Sequence, residues 1–168
     1  LSNPTVLCLY QDDTSDDIWI GTEGEGLHRF QQETGTFTHN PSTLKTKVVS
    51  MASYSDSELA LSVYADRIWL FNKHTGSIRP LHIEDPDINY MLKYAGRSIN
   101  LANGSDGSLL LISNTVSRLD KATGNCTRIG FDIGNQSNGN LMSISRSDEG
   151  LWMHDYYNIY LLPDGESR

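Results

Sequence analysis

Residues 6–38 read VLCLYQDDTSDDIWIGTEGEGLHRFQQETGTFT. Short runs of β-branched and aromatic residues alternate here with turn chemistry. The pattern predicts a strand over 6–11, an acidic turn over 12–17, a strand over 18–22, a glycine-containing loop over 23–26, and a strand over 27–32. The turn Glu33-Thr34-Gly35 follows, and 36–38 opens a fourth strand. Ile18-Trp19-Ile20 has no polar alternation, which predicts a strand buried on both faces with Trp19 in the core. Gly21 then leaves room for a neighbouring side chain or backbone.

The turn recurs downstream as His74-Thr75-Gly76, Ala122-Thr123-Gly124 and Pro163-Asp164-Gly165, so the glycines are spaced by 41, 48 and 41 residues. A period in the forties that holds several short strands marks β-propeller blades. The second repeat predicts strands at 48–54, 59–63, 67–72 and 77–83. The third predicts 98–103, 109–113, 116–120 and 126–129. The fourth predicts 141–146, 151–154 and 159–162, with a last strand beginning at 166. The expected fold class is therefore all-β, with propeller blades of four-stranded antiparallel sheet. The blades are assigned to 5–40, 46–83, 97–132 and 140–168, the last truncated. One helix is expected between blades two and three. Asp85 suits its N-cap, Pro86 its first position and Gly96 its stop.

Composition narrows the function classes. The chain of 168 residues has 13 Lys and Arg against 21 Asp and Glu, a formal charge of −8. That argues against a nucleic-acid surface, where phosphates need clustered cations, and against an anionic membrane surface. No apolar run approaches the roughly 18 residues that a membrane-spanning helix needs. Cys8 and Cys126 lie in different repeats without metal or redox spacing; Cys8 reads as a buried free thiol. The chain begins at Leu1 without a start methionine or signal peptide and stops soon after Gly165, and is read as a piece of a longer protein.

The segment Ile18-Trp19-Ile20-Gly21-Thr22-Glu23-Gly24-Glu25-Gly26-Leu27-His28-Arg29-Phe30, with Thr34-Gly35-Thr36-Phe37, resembles the two-component regulator propeller repeat. Asn40-Pro41-Ser42 with Val48-Val49-Ser50-Met51, and Ser137-Asn138 with Leu141-Met142-Ser143-Ile144, are similar to that family's approach to an innermost strand. Blades two to four depart from it: 59–63 and 151–155 lack the Gly-Thr end. The repeat fills the extracytoplasmic sensor regions of bacterial hybrid histidine kinases, especially in gut Bacteroidetes. The resemblance implies a partial arc of a seven-bladed propeller in the periplasm, with a closed four-bladed ring as the alternative. It further implies a dimeric sensor of oligosaccharide. This sensor is joined to the remaining blades and domains of the same chain, and reaches the membrane only through a transmembrane helix outside this sequence.

No catalytic, cofactor or metal signature is present. The sequence has no nucleophile elbow, phosphate loop or His-Glu-x-x-His. The five histidines are scattered, and His74 reads as an exposed turn residue. The acidic turn 12–17 lacks the Gly and terminal Glu of a calcium loop and reads as a solvated turn. A propeller-fold polysaccharide-degrading enzyme and a protein-interaction scaffold stay as alternatives to a binding and signalling module. Within a blade the a–b and c–d turns share one rim and are repetitive; the b–c and d–a loops share the other and vary, as recognition loops do. The ligand-binding candidates are Tyr90, Arg97, His154, Asp155, Tyr156 and Tyr157. Their aromatic faces suit stacking on a sugar ring, and their polar groups suit hydroxyl or uronate contacts. Packing between blades is the alternative role of Tyr156 and Tyr157.

Overall fold

The computed structural model describes residues 5–12, 14–40, 46–94, 99–113, 115–132, 143–154 and 158–164. Blade one contains β1 (Val6–Gln11), β2 (Ile18–Thr22), β3 (Leu27–Gln31) and β4 (Thr36–His39). Blade two contains β5 (Val48–Ser55), β6 (Glu58–Val63), β7 (Ile68–Asn72) and β8 (Ile78–Pro80). Blade three contains β9 (Asn100–Asn103), β10 (Leu109–Ile112), β11 (Thr115–Leu119) and β12 (Cys126–Asp132). Blade four contains β13 (Ser143–Ser147), β14 (Gly150–His154) and β15 (Ile159–Pro163). Each sheet is antiparallel with its strands in chain order, as expected of propeller blades. The fourth strand expected from 166 lies outside the described residues.

The turn glycines do what their recurrence implied. Gly35, Gly76 and Gly124 have φ of 66°, 72° and 81°, and each N–H donates to the carbonyl four residues back, on Gln31, Asn72 and Asp120. The Asn72 and Asp120 side chains accept two further turn N–H groups each. A β-carbon would crowd the backbone in this left-handed conformation. Gly165 lies outside the described residues.

Three apolar clusters lie between consecutive blades. Blades one and two enclose Trp19, Leu27, Val48, Met51, Leu59, Leu61 and Phe71. Trp19 is only 3% exposed and meets Phe71 edge-on, with ring centroids 5.2 Å apart. Blades two and three share the cluster that takes in Leu70, Leu101 and Leu111, and blades three and four share the one built on Leu110, Ile112, Leu151 and Met153. Leu109 to Ile112 illustrate the logic: successive side chains point to opposite faces, and both faces are covered.

β8 is shorter than the expected 77–83. Leu81 still donates its N–H to Ile68, but Leu81 and Ile83 then turn inward beneath the helix. The helix, α1 (Pro86–Tyr94), starts where the sequence placed it; its expected stop at Gly96 lies outside the described residues. The Asp85 carboxylate accepts the N–H groups of Asp87 and Ile88 as an N-cap. Ile88 and Leu92, one turn apart, are buried against blades two and three. Arg128 on β12 pairs with Asp87 at 3.1 Å.

The acidic turn is not simply solvated. Asp12 and Asp17 are buried because each is used structurally. Asp12 accepts from the Thr14 hydroxyl, from Trp19 Nε1 at 3.2 Å, and from Lys73 Nζ of blade two at 2.9 Å. Asp17 pairs with Arg29, whose guanidinium lies over the Trp19 ring. Lys73 is the first of three inter-blade cations on this rim. Lys121 of blade three donates to the Tyr54 carbonyl at 2.6 Å, and Arg146 of blade four donates to the Asn103 carbonyl at 3.0 Å. Nearer the centre, the Asn103 amide exchanges two hydrogen bonds with the Ser53 backbone.

Gly21 marks a close approach of blade one to blade two. A β-carbon there would stand 2.5 Å from Cys8 Sγ and 2.7 Å from the Val48 carbonyl. Cys8 is a free thiol, half-buried rather than fully buried, and burial pushes it up to about 12. Gly21→Ala should destabilise by roughly 1–3 kcal/mol through overpacking. Gly35→Ala, with nothing within 4 Å, should lose only about 1 kcal/mol from its backbone conformation. Urea denaturation of both variants tests this; equal losses would show that the close approach at Gly21 is not tight.

Burial raises the Asp12 carboxyl, but the Thr14, Lys73 and Trp19 hydrogen bonds outweigh burial and hold it at about 2. The unfolded chain titrates near ~3.9. Stabilisation by Asp12 is therefore full above about pH 4 and is lost as pH falls toward about 2, an effect of roughly 2–3 kcal/mol. Asp12→Asn should be less stable than the parent at pH 6 and nearly equal to it at pH 2. A difference that stays constant with pH would refute the assignment.

Candidate functional site

The two rims differ in chemistry. On the short-turn rim, Lys73, Lys121 and Arg146 close the joints between blades. The opposite rim carries the 23–26, 64–67 and 81–94 segments. Here Lys47 pairs with Glu23 at 2.6 Å and lies over the Tyr64 ring. At the outer edge the division of rims lapses. Glu84 N–H donates to the Gly124 carbonyl, on a short turn of blade three, because sheet twist swings outer strand ends toward the next blade.

A cleft of about 560 Å³ opens on the loop rim of blade two, between the β6–β7 loop and α1. Its base is apolar, from Pro80, Leu81, Ile83 and Leu92; Ala65, Asp66 and Arg67 form one wall, and Asn89 and Lys93 the other. The wall is built by a linked set. Asp66 accepts Trp69 Nε1 at 3.1 Å, the Arg67 guanidinium lies 5.9 Å over the Trp69 ring, and Arg67 Nε is 3.7 Å from Asp66. Ala65 adopts φ 54°, a left-handed conformation that alanine rarely takes, so this loop has a specific and mildly strained shape. On the facing wall, the Asn89 amide nitrogen donates to the Ile83 carbonyl at 2.8 Å, which fixes the helix over the base. Mixed apolar floor and polar walls on this scale are typical of small-molecule sites.

Of the sequence candidates, Tyr90 stands on α1 beside Asn89 and is 63% exposed. His154 ends β14 on blade four and is half-buried. Arg97, Asp155, Tyr156 and Tyr157 lie outside the described residues. Arg67, Asn89 and Lys93 were not among the candidates. They lie at the b–c loop and in the d–a connection of blade two, which belong to the variable set, but the meeting of one hairpin loop with the helix is a tertiary fact. Elsewhere, His28 and His39 pair across β3 and β4 with ring centroids 4.7 Å apart. Burial, then His39, lowers the His28 pKa. No group of three or more metal-ligating side chains occurs among the described residues. His74 is an exposed turn residue.

No protein-family profile matches the chain, and no curated protein matches it. Its fold is similar to solved structures. The extracellular domain of the proposed hybrid two-component system BT4673 from B. thetaiotaomicron superposes with a TM-score of 0.66 at 22% identity, over 95% of this chain and 21% of that one. The extracellular domain of the proposed hybrid two-component system BT3049 from the same organism gives 0.61 at 13% identity, over 95% and 22%. The WD40 β-propeller domain of Doa1 gives 0.62 at 13% identity, over 92% and 49%. This chain thus spans about a fifth of the two extracellular domains that it resembles, and at these identities the likeness is one of β-propeller fold.

Proposed function

We propose that this chain is part of an extracytoplasmic, periplasmic ligand-sensing propeller of a hybrid two-component sensor histidine kinase. It binds oligosaccharide on its loop rim and contributes to a signal that crosses the membrane to regulate polysaccharide-utilisation genes. The intact sensor works as a homodimer in which further blades continue this arc. The observation that carries the reading is the cleft on the loop rim of blade two, with an apolar floor and polar walls, on the rim whose loops differ from blade to blade. The fold likeness to two sensor extracellular domains and the repeat-like sequence of blade one support it. No described helix is long and apolar enough to cross a membrane. Catalysis is the weaker reading for this cleft. Glycoside hydrolysis uses two carboxylates across a gap, and Asp66 is the only carboxylate among the described lining residues, already engaged with Trp69.

The test uses the intact gene with a transcriptional reporter, grown on a panel of purified oligosaccharides. One glycan class should induce the reporter, and Tyr90→Ala combined with Asn89→Ala should raise the half-maximal glycan concentration by about tenfold or more. Equivalent changes on the exposed short turns, such as His74→Ala, should leave it unchanged. Induction by no glycan, or sensitivity confined to the short turns, would overturn the reading.

A further inference from the structure

The charge of the cleft runs against the charge of the chain. The whole sequence carries −8, yet the described cleft lining holds Arg67 and Lys93 against Asp66 alone, and the adjoining His82 is paired with Glu84. Asp66 accepts Trp69 Nε1 with one oxygen and stands 3.7 Å from Arg67 Nε with the other, so the terminal nitrogens of the guanidinium are the ones that face a ligand. Arg67 is held from behind by the Trp69 ring while its side chain stays 60% exposed. Stacking against an aromatic face restricts a guanidinium without consuming its N–H donors, so less freedom is lost when it pairs with a ligand. A guanidinium fork presented in this way matches a carboxylate, which it can hold through two parallel hydrogen bonds. The neighbouring surface is apolar, from Leu81, Ile83 and Leu92, and suits the C–H face of a pyranose ring. Tyr90, the residue after Asn89 on α1, is exposed.

We propose that this cleft is a site for the carboxylate-bearing unit of an acidic sugar, with Arg67 as the principal charge contact and Lys93 as the second. The assignment rests on the loop rim being the ligand surface, and adds the chemical class of the ligand. Neutral sugars would fill the same volume without engaging the guanidinium. Acetate would engage the charge without filling the floor.

The experiment is calorimetric titration of this chain with digalacturonate, its dimethyl ester, neutral digalactose and acetate. The ester keeps the size of the acid and removes its charge. The acid should bind about tenfold or more tightly than the ester, with a preference that shrinks as salt is raised. Arg67→Ala should abolish the preference, Arg67→Lys should restore part of it, and Lys93→Gln should reduce it if Arg67→Ala melts early. Thermal melts of each variant separate lost binding from lost fold. Equal affinity for acid and ester, an acid preference that survives Arg67→Ala, or acetate that binds as tightly as the disaccharide would each overturn the proposal. Binding of acid and ester alike overturns the charge assignment and leaves the oligosaccharide-sensing reading standing. Failure of all the sugars overturns this site, and the reporter assay then decides the sensing reading separately.

Discussion

A propeller blade must be covered on both faces, and the rest of this molecule follows from that constraint. A sheet with one wet face can alternate polar and apolar residues, but a sheet between two neighbours cannot. Ile18-Trp19-Ile20 and Leu109 to Ile112 are apolar without interruption for this reason, and their alternate side chains enter different places. Trp19 enters the cluster shared with blade two, while Leu109 and Leu111 face blade two and Leu110 and Ile112 face blade four. The same constraint sets spacing. Where two blades approach closely, as at Gly21 against Val48, there is room for a hydrogen atom and not for a methyl group.

Apolar packing is non-directional and does not fix how one blade is rotated against the next. Directional contacts do so along the short-turn rim. Lys73 and Lys121 start from matching places, three residues before Gly76 and Gly124, and each reaches back to the preceding blade. Their acceptors differ: one is a buried carboxylate and the other a backbone carbonyl. Blade four achieves a similar contact from another strand. Its Asp164 follows β15 as Lys73 follows β7, and pairs with Arg146, which in turn reaches the Asn103 carbonyl. The joint is kept while the residue that makes it changes, as expected if geometry and not a particular ion pair is what the fold requires.

Much of the architecture was legible in the sequence because its signals are local. Left-handed turn glycines, uninterrupted apolar strands and an Asp-Pro helix start act over a few residues, and those within the described residues appear where the sequence placed them. Non-local features were not legible. The burial of Asp12 depends on Lys73, 61 positions away, and nothing in the 12–17 turn announces it. The shortened β8 depends on Leu81 and Ile83 finding space under α1. The cleft was half legible: the connections that build it are variable loops of blade two, but none of its lining residues was among the candidates, and Tyr90 is not one of them. That Arg67 would be stacked on Trp69 and turned toward α1 required the register of β7. His154 and Tyr90 were grouped as candidates on aromatic and polar character alone, and they stand on different blades.

The placement of α1 has a consequence for how the molecule comes apart. In an array whose units touch only their sequence neighbours, stability is a sum of unit terms and joint terms. Blade two contributes to two of the three described clusters and also carries the helix, which is wedged into the larger of its joints. Among the described clusters, blades one and four contribute to one each, and the side chains of β4 are all exposed. Blade three likewise contributes to two, and the joints on both faces of blade two hold the β6–β7 hairpin against local opening. That hairpin carries the loop that forms one wall of the cleft. The cleft is thus seated on a blade that its neighbours hold on both faces.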